Sequence, residues 1–192
     1  AILEDLTRVL MRDLELSKQV AVDEVTGALS RAAFMAEGRR HTALAARAGE
    51  PVALIAFDLD QYSAINDTQG HPTGDRVLAA TGRVCRAHLR GSDVLGRLGG
   101  GTLAIVLPKT DLDGGVLVAG RLRDAIAALS AEFGFALSAS FGVASRGGKS
   151  DQLDDLLERA EQAMYAAKRD GRNRVMSEAR AVTPPTAARR RV

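Results

Sequence analysis

Residues 52–75 read VALIAFDLDQYSAINDTQGHPTGD, and the order of chemistry along them sets the fold. Residues 52–57 form a continuous apolar run, the pattern of a strand buried on both faces. The run ends in Asp58-Leu59-Asp60, so the strand presents carboxylates at its end, where polar side chains are candidates for chemistry. Beyond it the chain turns polar and glycine-rich, and in such a stretch Asn66 and His71 can also serve simply as turn caps.

Further along, residues 94–98 and 102–107 are strand-like and flank Gly99-Gly100-Gly101, which predicts a β-hairpin with a tight tip made of backbone. Residues 135–145 alternate apolar and small side chains as another strand, and residues 114–129 and 150–169 carry helical periodicity. Ser150 is the expected N-cap of the latter helix, with Asp151 and Asp154 complementing its positive end. Irregular alternation of strands and helices around a hairpin favours an α+β sheet with helices packed on it over a doubly wound parallel fold. At the N-terminus, Ile2, Leu3, Leu6, Val9, Leu10 and Leu14 recur at helical spacing, predicting an amphipathic helix over 2–20. It reads as a linker or dimerising stalk, or as a helix packed on its own domain.

Composition narrows the classes. With 192 residues, 46% hydrophobic and 26% charged, one domain with flanking segments is expected: a stalk over 1–22, a domain over 23–177 and a tail over 178–192. No apolar run approaches the ~20 residues of a membrane span, so a soluble cytoplasmic chain without membrane insertion is expected. Cys85 is the single cysteine, which excludes an internal disulfide and a thiolate-rich metal site. The net charge of +2 comes from the tail, where four Arg against one Glu contribute +3 and leave about −1 for the rest. This argues against nucleic acid as a partner, as does the absence of Trp.

Four segments, in order, resemble the GGDEF (diguanylate cyclase) family. Residues 23–31, DEVTGALSR, resemble its opening D-x-L-T-G-L-x-N-R, and residues 58–75 resemble D-[LI]-D-x-F-K-x-I-N-D-x-x-G-H-x-x-G-D. Residues 97–108 occupy the place of R-Y-G-G-[DE]-E-F and the strand after it. Residues 140–143 (SFGV) with 164–173 (MYAAKRDGRN) match the closing S-I-G-V-A and Y-x-A-K-x-x-G-R-N. The resemblance implies a central, mostly antiparallel sheet of about five strands wrapped by helices, akin to nucleotide-cyclase and polymerase palm domains.

It also implies roles. Active members pair two GTP-loaded domains and use carboxylate-held Mg²⁺ against the triphosphate. Asp58 matches the first metal ligand, whereas the signature acids are replaced by Gly101 and Thr102 and its Phe by Leu103. Because positioning and electrostatics supply most of phosphoryl-transfer catalysis, the expectation from these positions is a chain that is not an enzyme, with Asp60 or another acid standing in as the alternative. Asn66 and Asp75 match the guanine readers, and Lys168 and Arg172 the triphosphate contacts; Ser63 replaces the usual Lys. Mg²⁺ is expected only together with GTP. Arg90-Gly91-Ser92-Asp93 reproduces the R-x-x-D of the family's inhibitory site, with Arg97 and Arg121 as further arginines. Guanidinium donors match guanine O6 and N7 bidentately, and a carboxylate accepts from N1 and N2. An intercalated cyclic di-GMP dimer crosslinking two domains is the expected ligand, and an upstream regulatory domain the expected partner. A GTP-responsive regulator and a nucleotide-independent dimerisation scaffold are the alternatives.

Overall fold

The computed structural model describes residues 21–147 and 151–178. The helix expected over 2–20, the cap expected at Ser150 and the tail after residue 178 lie outside the described residues. The described elements run α1 (Arg31–Ala48), β1 (Val52–Leu59), α2 (Tyr62–Gln69), α3 (His71–His88), β2 (Val94–Gly99), β3 (Thr102–Pro108), α4 (Leu112–Ala128), α5 (Ser130–Phe133), β4 (Ala139–Ser145), α6 (Leu153–Arg169) and β5 (Val175–Ser177).

The strands form one five-stranded sheet in the order β2-β3-β1-β4-β5, antiparallel throughout except for the β4–β5 pair. β1 is central and buried on both faces, as its unbroken apolar run requires. Its alternate side chains feed two cores. Ala53, Ile55 and Phe57 pack with Leu78 of α3 and Leu122 and Ile126 of α4, with Phe57 stacked on Phe141 at 4.8 Å between centroids. Val52, Leu54 and Ala56 pack with Phe34 of α1 and Leu156 and Ala160 of α6. Helices thus cover both faces of the sheet, and α6 lies closest. At Gly142 an added Cβ would sit 1.9 Å from the Ala160 carbonyl and 2.2 Å from the Met164 amide, so only glycine admits the helix backbone there.

Two boundaries differ from the sequence reading for local reasons. The strand expected from residue 135 begins at Ala139, because the Ser130 hydroxyl takes the Leu137 amide at 2.9 Å and donates to its carbonyl at 3.3 Å. Helix α6 is capped by Gln152, which forms a reciprocal capping box with Asp155, and starts three residues later than expected. Glu178, assigned from sequence to the tail, belongs to the folded unit: its amide donates to the Val143 carbonyl at 2.8 Å and its carboxylate pairs with Arg159. At the other edge, the Leu29 main chain is inserted beside β2. The Leu29 amide donates to the Leu95 carbonyl, and the Arg97 amide to the Leu29 carbonyl, both at 2.9 Å.

Candidate functional site

The end of β1 and the tip of the β2–β3 hairpin meet where the sequence placed its chemistry. Register sets Asp58 opposite Thr102 on one side and Ser140 on the other. The Asp58 carboxylate, whose side chain is 15% exposed, accepts from the Thr102 hydroxyl at 2.6 Å and from the Lys168 ammonium at 2.5 Å. Lys168, expected at a triphosphate, is therefore the direct partner of the expected metal ligand. Asp60 is buried and accepts from the Ser138 and Ser140 hydroxyls at 2.7 Å each and from the Asn173 amide at 3.1 Å. It ties β1 to β4 and to the loop after α6. At Gly101 an added Cβ would lie 3.0–3.2 Å from the Tyr62 side chain. A divalent ion of the kind the resemblance implies takes several oxygen ligands. Among the described residues no group of three or more potential metal ligands converges, and the one carboxylate at the position is already paired. The donor set present does not fit that ion.

The expected guanine readers sit on the helix pair beyond β1. Asn66 lies on α2 and Asp75 in the early turns of α3, with Gly70 forming the junction between the helices. The Asn66 Oδ1 is buried without a hydrogen-bond partner. Gly74 provides its room: a Cβ there would meet that oxygen at 1.9 Å. Asp75 is exposed. Arg172 holds a left-handed backbone (φ 62°) after α6, and its exposed side chain borders an open cavity of about 510 Å³ shared with Gln61 and Asn173.

A second cavity, about 380 Å³, lies between the end of α3, the loop before β2 and the outer face of α4. It brings together Arg90, Asp93 and Arg121, and adds His88, Thr110 and Leu117 to the lining. The Arg90–Asp93 turn is closed from both ends: the Asp93 amide donates to the Arg90 carbonyl at 3.0 Å, and the Arg90 amide to the Asp93 carboxylate at 2.8 Å. Backbone thus fixes the carboxylate while both guanidinium groups, Arg90 and Arg121, have no intramolecular partner among the described residues. Leu117 is 70% exposed and gives the cavity an apolar wall open to solvent. The sequence reading missed it, although Gly114, Leu117 and Arg121 lie at the three- and four-residue spacing of one helix face.

Arg97 is placed elsewhere. It does not line this cavity: its guanidinium lies on the Asp23 carboxylate at 3.0 and 3.3 Å and on the Gly100 carbonyl at 2.9 and 3.1 Å. The pair is largely buried, at 18% and 22% exposure. For Asp23, burial works to raise the pKa but is outweighed by hydrogen bonds from the Thr26 hydroxyl and amide and by the Arg97 charge, which together hold it below the ordinary value. These contacts clasp the 23–27 turn to the hairpin tip.

Comparison with known proteins gives the wider setting. The family described as diguanylate cyclase, GGDEF domain, matches residues 20–174. Diguanylate cyclase DgcM of Escherichia coli (strain K12) is 33% identical over 180 residues, 92% of this chain and 43% of that protein. The chain therefore spans less than half the length of that relative. The crystal structure of the GGDEF domain of DgcB from Caulobacter crescentus, in complex with c-di-GMP, superposes with a TM-score of 0.77 at 29% identity, covering 82% of this chain and 93% of that one. The structure of the active GGEEF domain of a diguanylate cyclase from Vibrio cholerae gives a TM-score of 0.75 at 30% identity, covering 79% of this chain and 98% of that one.

These matches correct the expectation that the chain is not an enzyme. That expectation rested on two signature positions, Gly101 and Thr102, whereas the similarity extends over nearly the whole domain, to relatives named as diguanylate cyclases and to a domain described as active. Sheet order, the Asp58–Thr102 register and the match over residues 20–174 leave one assignment: this chain belongs to the GGDEF domain family of the diguanylate cyclases.

Proposed function

We propose that this domain binds cyclic di-GMP in the cavity lined by Arg90, Asp93 and Arg121, and so reads the concentration of the dinucleotide that its family is named for making. The observation that carries the reading is the state of those groups before any ligand arrives. Asp93 is locked by the backbone of its own turn, and the two guanidinium groups beside it have no partner among the described residues. A fixed carboxylate suits the N1 and N2 protons of guanine, and a free guanidinium suits O6 and N7 or a phosphodiester oxygen. Exposed Leu117 offers an apolar floor for a purine face. Two such domains held on one intercalated dinucleotide pair form a ligand-crosslinked dimer, and an attached or partner domain would receive the signal.

Calorimetric titration of the purified domain with cyclic di-GMP tests the reading. Saturable binding is expected, weakened about ten- to a hundredfold in both Arg90→Ala and Asp93→Ala, in line with ~1–3 kcal/mol for each bidentate contact. No binding, or binding indifferent to both substitutions, overturns it.

A second reading, GTP held between α2 and α3, rests on the buried, unpartnered Asn66 Oδ1. An unsatisfied acceptor in a protein interior costs on the order of 1–3 kcal/mol, which a guanine N–H relieves. Thermal stabilisation by GTP that is lost in Asn66→Ala and Asp75→Ala supports this reading; its absence removes it.

A further inference from the structure

We infer that His88 is a proton-linked part of the Arg90–Asp93–Arg121 cavity, taking up a proton when a cyclic dinucleotide anion binds there. The inference rests on the reading of that cavity as a dinucleotide site.

His88 is the last residue of α3 and lines the same cavity as Arg90, Asp93 and Arg121. Its Nδ1 lies 2.9 Å from the Val84 carbonyl, one turn back. A carbonyl only accepts, so Nδ1 carries the proton, and Nε2 has no partner among the described residues. The charges that share the cavity with the ring are Arg90 and Asp93 from the loop that follows α3 and Arg121 from α4. On α3 itself the neighbouring cations are occupied elsewhere: Arg86 donates to the Thr26 carbonyl and Arg83 pairs with Glu132.

Without ligand, the two arginines in the cavity outnumber the one carboxylate. A cyclic dinucleotide brings two phosphodiester charges, and an intercalated pair brings four, so binding reverses the sign of the local potential. Histidine is the side chain whose charge changes near neutral pH. The proton comes from solvent and resides on Nε2, converting it from an acceptor into a donor toward a phosphodiester oxygen. The Nδ1–H committed to the Val84 carbonyl leaves Nε2 as the only ring nitrogen able to respond.

Linkage gives the test a readout that packing alone does not move. A group that gains a proton on binding makes the affinity rise as pH falls. Titrations of wild type with cyclic di-GMP at pH 7, in two buffers of different ionisation enthalpy, are expected to give different apparent enthalpies, corresponding to uptake of a fraction of a proton per site. Affinity at pH 6 is expected to exceed that at pH 8 by roughly three- to tenfold at constant ionic strength. His88→Gln, an exposed position whose change leaves the core untouched, is expected to bind with buffer-independent enthalpy and a flat profile over this range. Binding by wild type without proton uptake, or uptake that persists in His88→Gln, overturns the role of His88 while leaving the cavity reading standing. Absence of binding at every pH overturns both.

Discussion

Arg97→Ala separates a ligand-binding arginine from a structural one, and the two roles make opposite predictions. The guanidinium makes two contacts to the Asp23 carboxylate and two to the Gly100 carbonyl, with both partners of the ion pair only about one-fifth exposed. A fully exposed pair would contribute ~0–1 kcal/mol, and breaking a fully buried one would cost ~3–5 kcal/mol. The exposure places Arg97 between these limits, nearer the value for hydrogen bonds to charged groups, so truncation is expected to cost about 1.5–3 kcal/mol. In a domain of this size that lowers the melting temperature by roughly 4–10 °C. The loss also carries a pH signature. The pKa of Asp23 is depressed in the folded state, so its contribution is complete above the ordinary carboxylate value of 3.8 and is lost as pH falls through the lower folded value. Acid titration of stability is therefore expected to show a shallower decline in Arg97→Ala than in wild type. Urea unfolding at several pH values, with cyclic di-GMP titration of the same variant, gives both quantities. Affinity reduced tenfold or more with unchanged stability would refute the structural assignment.

Three further outcomes follow from single positions. Gly142→Ala, whose methyl group would collide with two backbone atoms of α6, is expected to destabilise by at least ~2 kcal/mol in chemical denaturation, since neither neighbour is a side chain that can swing away. Gly74→Ala is expected to leave stability within about 1 kcal/mol, because gained helix propensity offsets displacement of Asn66, yet to abolish GTP-dependent thermal stabilisation. Cys85 is buried and its thiol is pushed up to about 12 by desolvation; it is expected to react with a thiol reagent at pH 8 only at the rate of global unfolding, and rapid labelling of the native domain would contradict this.

Sequence legibility followed contact range. The apolar run at 52–57, the paired strands around Gly99-Gly100-Gly101 and the periodic helices declared themselves because each signal is local. The Arg90–Asp93 turn was legible for the same reason, since its hydrogen bonds close within four residues. The rest depended on residues far apart in the chain. Lys168 meets Asp58 across 110 positions, Asp60 is satisfied from 78, 80 and 113 positions away, and Arg97 finds Asp23 at a separation of 74. No pattern in a window of residues distinguishes a carboxylate awaiting a metal from one already holding strands and loops together. Gly101 and Thr102 were readable as substitutions, but two positions do not outweigh a similarity that covers residues 20–174.

The strand-like insertion of Leu29 beside β2 has a practical corollary. An open sheet edge offers a row of unpaired amides and carbonyls to any passing chain, and here that row is blunted on one side by Leu29 and on the other by a β5 of only three residues. The segment around Leu29 thus works as a stopper against edge-to-edge aggregation. A shortened protein that begins after residue 30 would keep every family motif from β1 onward and leave the β2 edge uncovered.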